Sequence, residues 1–191
     1  MLTSPTSIPN NGSEVPYTAP TILLPSGEYI PDSRAIATAL EAAHPSPTVH
    51  LDSPFLPRLE ALMRRVLRPM YPIFIPRVPK VLLSPASLPY WMETREGWFG
   101  PLDELEKGAD KGWVEMGEPL KEVTAMLRED GTGPLFMGKE VSYADFVWGG
   151  FLLFCQKLGD DVWERVLEGS GDAGVHRRFL EALRPWARED L

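Results

Sequence analysis

The chain has 191 residues, of which 43% are hydrophobic and 24% charged, a balance typical of a folded globular protein rather than a disordered one. Its formal net charge of -8 argues against nucleic acids and anionic membranes as partners, because both attract basic surfaces, and leaves a small molecule or a protein as the expected partner. The single cysteine, Cys155, cannot form an internal disulfide, and no signal segment or long apolar span is recognisable, so we predict a cytosolic protein without a membrane-spanning helix.

The prolines predict two regions of different character. Sixteen of the twenty prolines precede residue 90, so the first half of the chain must consist of short elements while the second half can form long helices. Residues 1–16 contain too few apolar side chains to pack independently, and the prolines of His44–Thr48 are typical of a linker. We therefore predict one domain over residues 1–48, which includes the tail, and a second over residues 51–191.

The stretch after the tail predicts a β-hairpin followed by a helix. Thr21–Leu24 and Glu28–Ile30 have strand character, and a turn cluster of Pro, Ser and Gly separates them. Asp32 and Ser33 are residues that cap helices, and apolar residues then recur at helical spacing. Such a helix start either serves as an ordinary cap or binds an anion, since free N–H groups, the helix dipole and a hydroxyl converge there.

The next part of the chain combines helical periodicity with aromatic residues. Pro57–Met70 is amphipathic and predicts a helix, whereas the following sequence YPIFIPRVP predicts a kink or an unwound turn that presents Tyr71 and Phe74 at a bend. This segment is either a buried connector or the wall of an apolar pocket. Residues 88–107 are again mostly helical in pattern, and their aromatic side chains suggest an apolar slot formed by Tyr90, Trp91 and Trp98.

The C-terminal half predicts a helical bundle. A helix is expected from Trp113 to Arg128, and Ser142 with Asp145 forms a capping-box pattern in front of Phe146–Leu158, which is apolar on nearly every side. Cys155 lies inside this predicted core helix. The three histidines are far apart and no zinc or phosphate-loop motif occurs, so we expect no metal site.

Several segments of the chain resemble segments of glutathione S-transferases of the fungal type. YTAPTI is similar to the family's cis-proline strand, IPDSRAIATALE to its acidic-plus-serine helix start, VSYADF to the cap of its core helix, and YWMETREGWFGPLDELEKG to a helix of its second domain. The resemblance covers about residues 15–188. It implies a mainly α fold, in which a truncated thioredoxin-like β-hairpin and helix precede an all-α C-terminal domain.

The resemblance also implies roles for individual residues, with glutathione as the co-substrate. The backbone of Ala19, before a cis Pro20, would pair with the cysteinyl part of glutathione, and Asp32 with Ser33 would hold its γ-glutamyl end. The electrophilic substrate would lie against the aromatic residues Tyr71, Phe74, Tyr90, Trp91 and Trp98. Members of this family commonly dimerise, which makes a homodimer a further expectation.

One part of the family pattern has no counterpart in this sequence. Complete members place a strand-helix-strand unit before the cis-proline strand, and the end of its first strand supplies the residue that activates the glutathione thiol. A unit of that kind needs ~30 residues or more, and only residues 1–16 stand there. The resemblance therefore leaves the catalytic residue unknown.

Two functions are consistent with these features. The first is a glutathione-dependent enzyme that adds the thiol to an apolar electrophile, either as a conjugating transferase or as a double-bond isomerase of secondary metabolism. The alternative is a catalytically inactive glutathione-transferase-like protein that serves as a binding module or scaffold. Retention of both Asp32–Ser33 and the aromatic residues favours the enzyme.

Overall fold

The computed structural model describes residues 20–187 and divides between Leu51 and Asp52 into two compact units. We call the described residues before this boundary unit 1 and those after it unit 2. The predicted division into domains over residues 1–48 and 51–191 stays a prediction. The predicted N-terminal tail, together with Ala19, lies outside the described residues.

Unit 1 is the predicted hairpin and helix. Strands β1 (Thr21–Leu23) and β2 (Tyr29–Pro31) pair antiparallel, with Ile22 opposite Ile30. Helix α1 (Ser33–Ala43) begins directly after Asp32, whose carboxylate accepts hydrogen bonds from the first-turn amides. The predictions from turn chemistry and helix caps are therefore confirmed, because both depend on residues that are close in sequence.

Unit 2 opens with helix α2 (Phe55–Phe74). The helix continues past Met70, where a kink or an unwound turn was predicted, as far as Phe74. Pro69 and Pro72 lie inside it, and each lacks the N–H that would continue the helical ladder. The helix persists because it packs lengthwise against helix α6 (Ala109–Met126). The closest approach is at Gly112, where an added Cβ would lie 2.2 Å from the carbonyl oxygen of Pro69.

The remaining helices follow the predicted pattern. The expected helical stretch over residues 88–107 is divided at Gly100–Pro101, as the two breakers require. Helices α7 and α8 meet at Gly159, and a short 3-10 turn follows the last helix. The ranges are α3 Val78–Val81, α4 Leu88–Phe99, α5 Leu102–Glu106, α7 Tyr143–Leu158, α8 Asp160–Gly169 and α9 Ala173–Leu183.

Helix α7 is the central helix of unit 2 and begins at the predicted capping box. The Asp145 carboxylate accepts hydrogen bonds from the Ser142 N–H and hydroxyl (2.7 Å each) and from the Phe136 N–H (3.0 Å). Burial raises the pKa of Asp145, and these hydrogen bonds oppose that rise. Cys155 is fully buried in the same helix, which raises the pKa of its thiol and confirms its prediction as a core residue.

A buried polar chain connects α7 to α9 and α6. The Trp148 indole donates from Nε1 to Nδ1 of His176 (3.2 Å), so the neutral ring carries its proton on Nε2. Nε2 then donates to Thr124 Oγ1 (2.9 Å), whose hydroxyl donates to the carbonyl oxygen of Ser170 (2.8 Å). Burial lowers the pKa of His176 to about 4, an effect that the charge of Asp172 opposes. The chain is therefore complete only while His176 is neutral.

Candidate functional sites

The start of α1 has the properties of an anion site. The Asp32 Oδ1 atom accepts from the N–H groups of Arg34 (2.9 Å) and Ala35 (3.2 Å), and the Asp32 carbonyl accepts from Ile36. Ser33 is exposed, and neither its N–H nor its hydroxyl bonds to a described residue. The caps therefore use the second and third amides of the helix and leave both Ser33 donors at the positive end of the dipole.

Asp32 itself has a strained backbone. Its φ of 74° lies in the left-handed region that residues other than glycine rarely adopt, although the residue is exposed and not held in a core. Strain of this kind costs about 1–3 kcal/mol and is concentrated at ligand clamps and active sites. The conformation is thus a second indication, independent of the cap, that the residue has a role in binding.

The predicted glutathione site also includes Ala19 and Pro20, and of these two residues the structure describes Pro20. Pro20 lies beside Asp32, because its carbonyl oxygen accepts a hydrogen bond from the Asp32 N–H (3.2 Å). Ala19 and the bond that joins it to Pro20 are outside the described residues. The described part of the predicted glutathione site is therefore assembled within unit 1 at the end of β2.

The aromatic residues predicted for the electrophile lie in unit 2, and four of the five are connected. Tyr71 packs edge-on against Phe74, with ring centroids 5.7 Å apart, and against Phe99, at 5.3 Å. Phe99 in turn contacts Trp98 at 6.4 Å. The Arg95 guanidinium links Trp98 to Trp91, so that α2 and α4 share one aromatic cluster.

Arg95 is sandwiched between two indoles. Its guanidinium carbon lies 4.3 Å from the ring centroid of Trp91 and 4.4 Å from that of Trp98. It donates from Nη1 to Thr94 Oγ1 (3.1 Å) and forms no ion pair with any carboxylate of residues 20–187. The Trp91 indole N–H is buried and has no acceptor among residues 20–187, a state that costs about 1–3 kcal/mol.

Tyr90 does not join this cluster, whereas two residues absent from the prediction do. Tyr90 is 66% exposed, and its ring forms no aromatic pair within the described part of the chain. Phe99 connects α4 to α2, and Phe154 of α7 packs against Phe74 with centroids 5.5 Å apart. Phe99 follows Trp98 in the sequence and could have been included, but Phe154 resembles any other apolar residue of its helix.

A cleft of about 760 Å³ lies between α2 and α6. Tyr71 is the one predicted substrate residue on its wall, together with the arginines Arg64, Arg65 and Arg68. Arg65 pairs with Glu122 (2.7 Å), whereas Arg64 and Arg68 form no ion pair with a described carboxylate. Four of the five predicted aromatic residues therefore belong to the cluster around Phe99, and one of these, Tyr71, also lines the cleft.

Among residues 20–187, no group of three or more His, Cys, Asp or Glu side chains is arranged to hold a metal ion. None of the helices in the described part of the chain combines the length and apolarity that a membrane span requires.

Comparison with known proteins gives consistent similarities. The sequence profile of the glutathione S-transferase C-terminal domain matches residues 59–186. Glutathione transferase GSTFuA3 from Phanerochaete chrysosporium is 29% identical, with a TM-score of 0.77 over 92% of this chain and 72% of that chain. The glutathione S-transferase CsGST83044 of Ceriporiopsis subvermispora, crystallised with glutathione, is 26% identical, with a TM-score of 0.71 over 95% of this chain and 76% of that chain. A search of curated protein sequences found no match.

Proposed function

Because the chain belongs to the glutathione S-transferase family by its C-terminal domain, we propose that it is a glutathione-dependent transferase whose co-substrate binds at the start of α1. The observation that carries this proposal is the pair of unused donors on Ser33 beside the strained Asp32. A relative of the same overall fold is crystallised with glutathione, which supports the choice of ligand.

Ser33 and Asp32 each suit one charged group at the γ-glutamyl end of glutathione. The Ser33 N–H and hydroxyl donate to the α-carboxylate, which the helix dipole also attracts. Asp32 Oδ1 is engaged by the helix amides, so Oδ2, which no described residue contacts, accepts from the ammonium. Pro20, and Ala19 before it, would orient the cysteinyl part through the backbone.

The second substrate is an apolar electrophile held by the aromatic cluster. In the proposed reaction the glutathione thiolate forms a bond to one carbon of an electrophilic double bond, and the displaced electron pair forms a carbanion at the neighbouring carbon. If the carbanion takes up the proton that the thiol released and the adduct leaves the site, the reaction is conjugation. If the carbanion formed on addition rotates about its new single bond and expels the thiolate, the double bond is restored in its isomeric form and the reaction is isomerisation.

We include three further features in the proposal as expectations. The cytosolic location and the place in secondary metabolism follow from composition and from the family resemblance. A homodimer is expected on the same grounds. The inactive scaffold remains the alternative function, and it predicts that glutathione does not raise the melting temperature of the protein.

Substitution of Ser33 tests the glutathione site. We expect Ser33→Ala to weaken glutathione binding by about 1–3 kcal/mol, measured by calorimetric titration, because a hydrogen bond to a charged group is lost. Ser26→Ala is the matched control, since Ser26 is an exposed serine of the hairpin turn whose hydroxyl contacts only the Glu28 N–H (3.4 Å). Equal affinity in wild type and Ser33→Ala would exclude Ser33 from the site.

A further inference from the structure

Helix α4 presents large aromatic side chains without burying any of its residues. Tyr90 and Trp98 are 66% and 57% exposed, and no α4 residue is fully buried. A surface helix gains little stability from such side chains when they face water, and exposed aromatic side chains of this kind are consistent with a binding role. The arrangement of Arg95 within this surface indicates the chemistry of the ligand.

Trp91, Arg95 and Trp98 are spaced by four and three residues, so they lie on one side of α4. Both faces of the guanidinium are covered by indole rings, which hold it in place and remove water from it. Its N–H groups point outward in the guanidinium plane, and one of them is engaged by Thr94. The remaining donors form a planar fork that matches the two oxygens of a carboxylate.

The surroundings of Arg95 select an anion that also carries an apolar body. Trp98 continues into the cluster of Phe99 and Tyr71, which offers ring edges and faces to a flat hydrocarbon. No described carboxylate competes for Arg95, although the protein as a whole is acidic.

We propose that the stacked guanidinium of Arg95 binds the carboxylate of an unsaturated or aromatic organic acid, whose apolar body lies against Trp98 and the neighbouring aromatic rings. The assignment of this acid as the electrophilic substrate rests on the proposed transferase function. Binding of the acid at Arg95 does not, because all of the residues involved lie in unit 2. Arg95 would then set substrate specificity for acids over neutral electrophiles.

Two probes of nearly equal shape test the binding step. Cinnamate and cinnamamide differ in charge but share the same aryl and vinyl body, and calorimetry without glutathione measures the affinity for each. We expect cinnamate to bind wild-type protein at least about tenfold more tightly, the effect of a charge-assisted hydrogen bond. In Arg95→Gln the two affinities should become equal, while the affinity for cinnamamide stays within about twofold of the wild-type value.

Arg68→Gln is the matched control, because Arg68 is another arginine without an ion pair to a described carboxylate and lies in the cleft between α2 and α6. It should retain the full preference for cinnamate. Loss of the preference in Arg68→Gln instead of Arg95→Gln, equal affinity for both probes in wild type, or no measurable cinnamate binding at millimolar concentration would each overturn the proposal.

The failure of this inference can be told apart from failure of the proposed function. Arg95→Gln should leave the dissociation constant for glutathione unchanged, whereas Ser33→Ala should change it. With glutathione present, Arg95→Gln should raise KM for an anionic electrophile and leave KM for its amide unaltered. A weaker affinity for glutathione in Arg95→Gln would show that Arg95 serves the co-substrate and would also overturn the assignment.

Discussion

Units 1 and 2 are stabilised in different ways. In unit 1 the strands and helix bury one side chain, Ile36, and the visible organisation comes from the hairpin ladder and the Asp32 cap. Unit 2 buries a core that includes Trp148, Phe136 and Phe179, and the Asp145 and His176 networks pair polar groups within it. The proposed glutathione residues lie in the unit with little core, and the aromatic cluster lies in the unit with a large one.

This difference has a physical consequence. A residue held by exposed hydrogen bonds can change conformation at low cost, because little packing is lost. A residue in a dense core cannot, since neighbouring side chains fill the space around it. Substitutions in the core of unit 2 should therefore lower the stability of the whole unit, whereas substitutions at the start of α1 should act locally and mainly on binding.

The largest effect is expected at the contact between α2 and α6. Gly112→Ala would place a Cβ 2.2 Å from the carbonyl oxygen of Pro69, which is backbone and cannot move aside without separating the helices. We expect a loss of about 3 kcal/mol or more in the free energy of unfolding, measured with denaturant.

Gly117→Ala in the same helix provides the control. A Cβ there would meet no atom within 4 Å, so alanine should stabilise the helix by about 0.5–1 kcal/mol. Similar stabilities for the two variants would contradict the close packing of α2 on α6 and weaken the contrast between the units.

A pH-dependent effect of comparable size is expected from His176. Its pKa is lowered to about 4 from the ordinary value of 6.5, so between these values the unfolded chain binds a proton that the folded chain does not. Stability should consequently fall as the pH drops from 6.5 to 4, by about 3 kcal/mol at most. Denaturant unfolding across this range in wild type and His176→Gln isolates the contribution, since other titrating groups are shared.

His44→Asn is the control for this experiment, because His44 is exposed. That variant should keep the wild-type dependence on pH, and His176→Gln should show a shallower one. A His176 ring signal that titrates near pH 6.5 in the folded protein, observed by NMR, would refute the neutral hydrogen-bonded chain.

The smallest effect on stability is expected in unit 1. Asp32→Ala removes the cap of α1 and leaves a non-glycine residue at a φ of 74°, so the helix should lose about 1 kcal/mol. Asp32→Asn keeps an oxygen acceptor in the same place and should be nearly neutral for the helix. Amide hydrogen exchange should accelerate in α1 and stay unchanged in α7; equal acceleration in both would show that the units unfold together.

Much of the fold could be predicted because its signals are local. The hairpin turn, the Asp32–Ser33 helix start and the Ser142–Asp145 capping box each depend on residues a few positions apart. The division of the helix at Gly100–Pro101 also has a local cause, although one mostly helical stretch was predicted over residues 88–107. The prediction differs from the structure at Pro72, where α2 continues to Phe74 instead of ending at Met70, because packing against α6 outweighs the local preference of proline to interrupt a helix.

The candidate sites likewise combine residues that a local sequence pattern identifies with contacts that depend on packing. Asp32 and Ser33 were identified from a cap pattern and a family resemblance, and the structure added the unused donors and the strained backbone. The aromatic residues were predicted only as a group. Their connections through Phe99 and Phe154 depend on contacts between helices that have no signature in local spacing. The position of Arg95 beside Trp91 and Trp98, in contrast, follows spacings of four and three residues along α4.

The sequence by itself determined where the chain turns, where its helices begin and which helix is the apolar centre, because caps, turns and periodicity act over one or two helical turns. Tertiary structure alone decided that α2 continues through its prolines, that Gly112 permits the close helix contact and that His176 is buried and neutral. These features depend on which side chains meet across the packed helices, and the free energy of such contacts is set by burial and geometry rather than by neighbours in the chain.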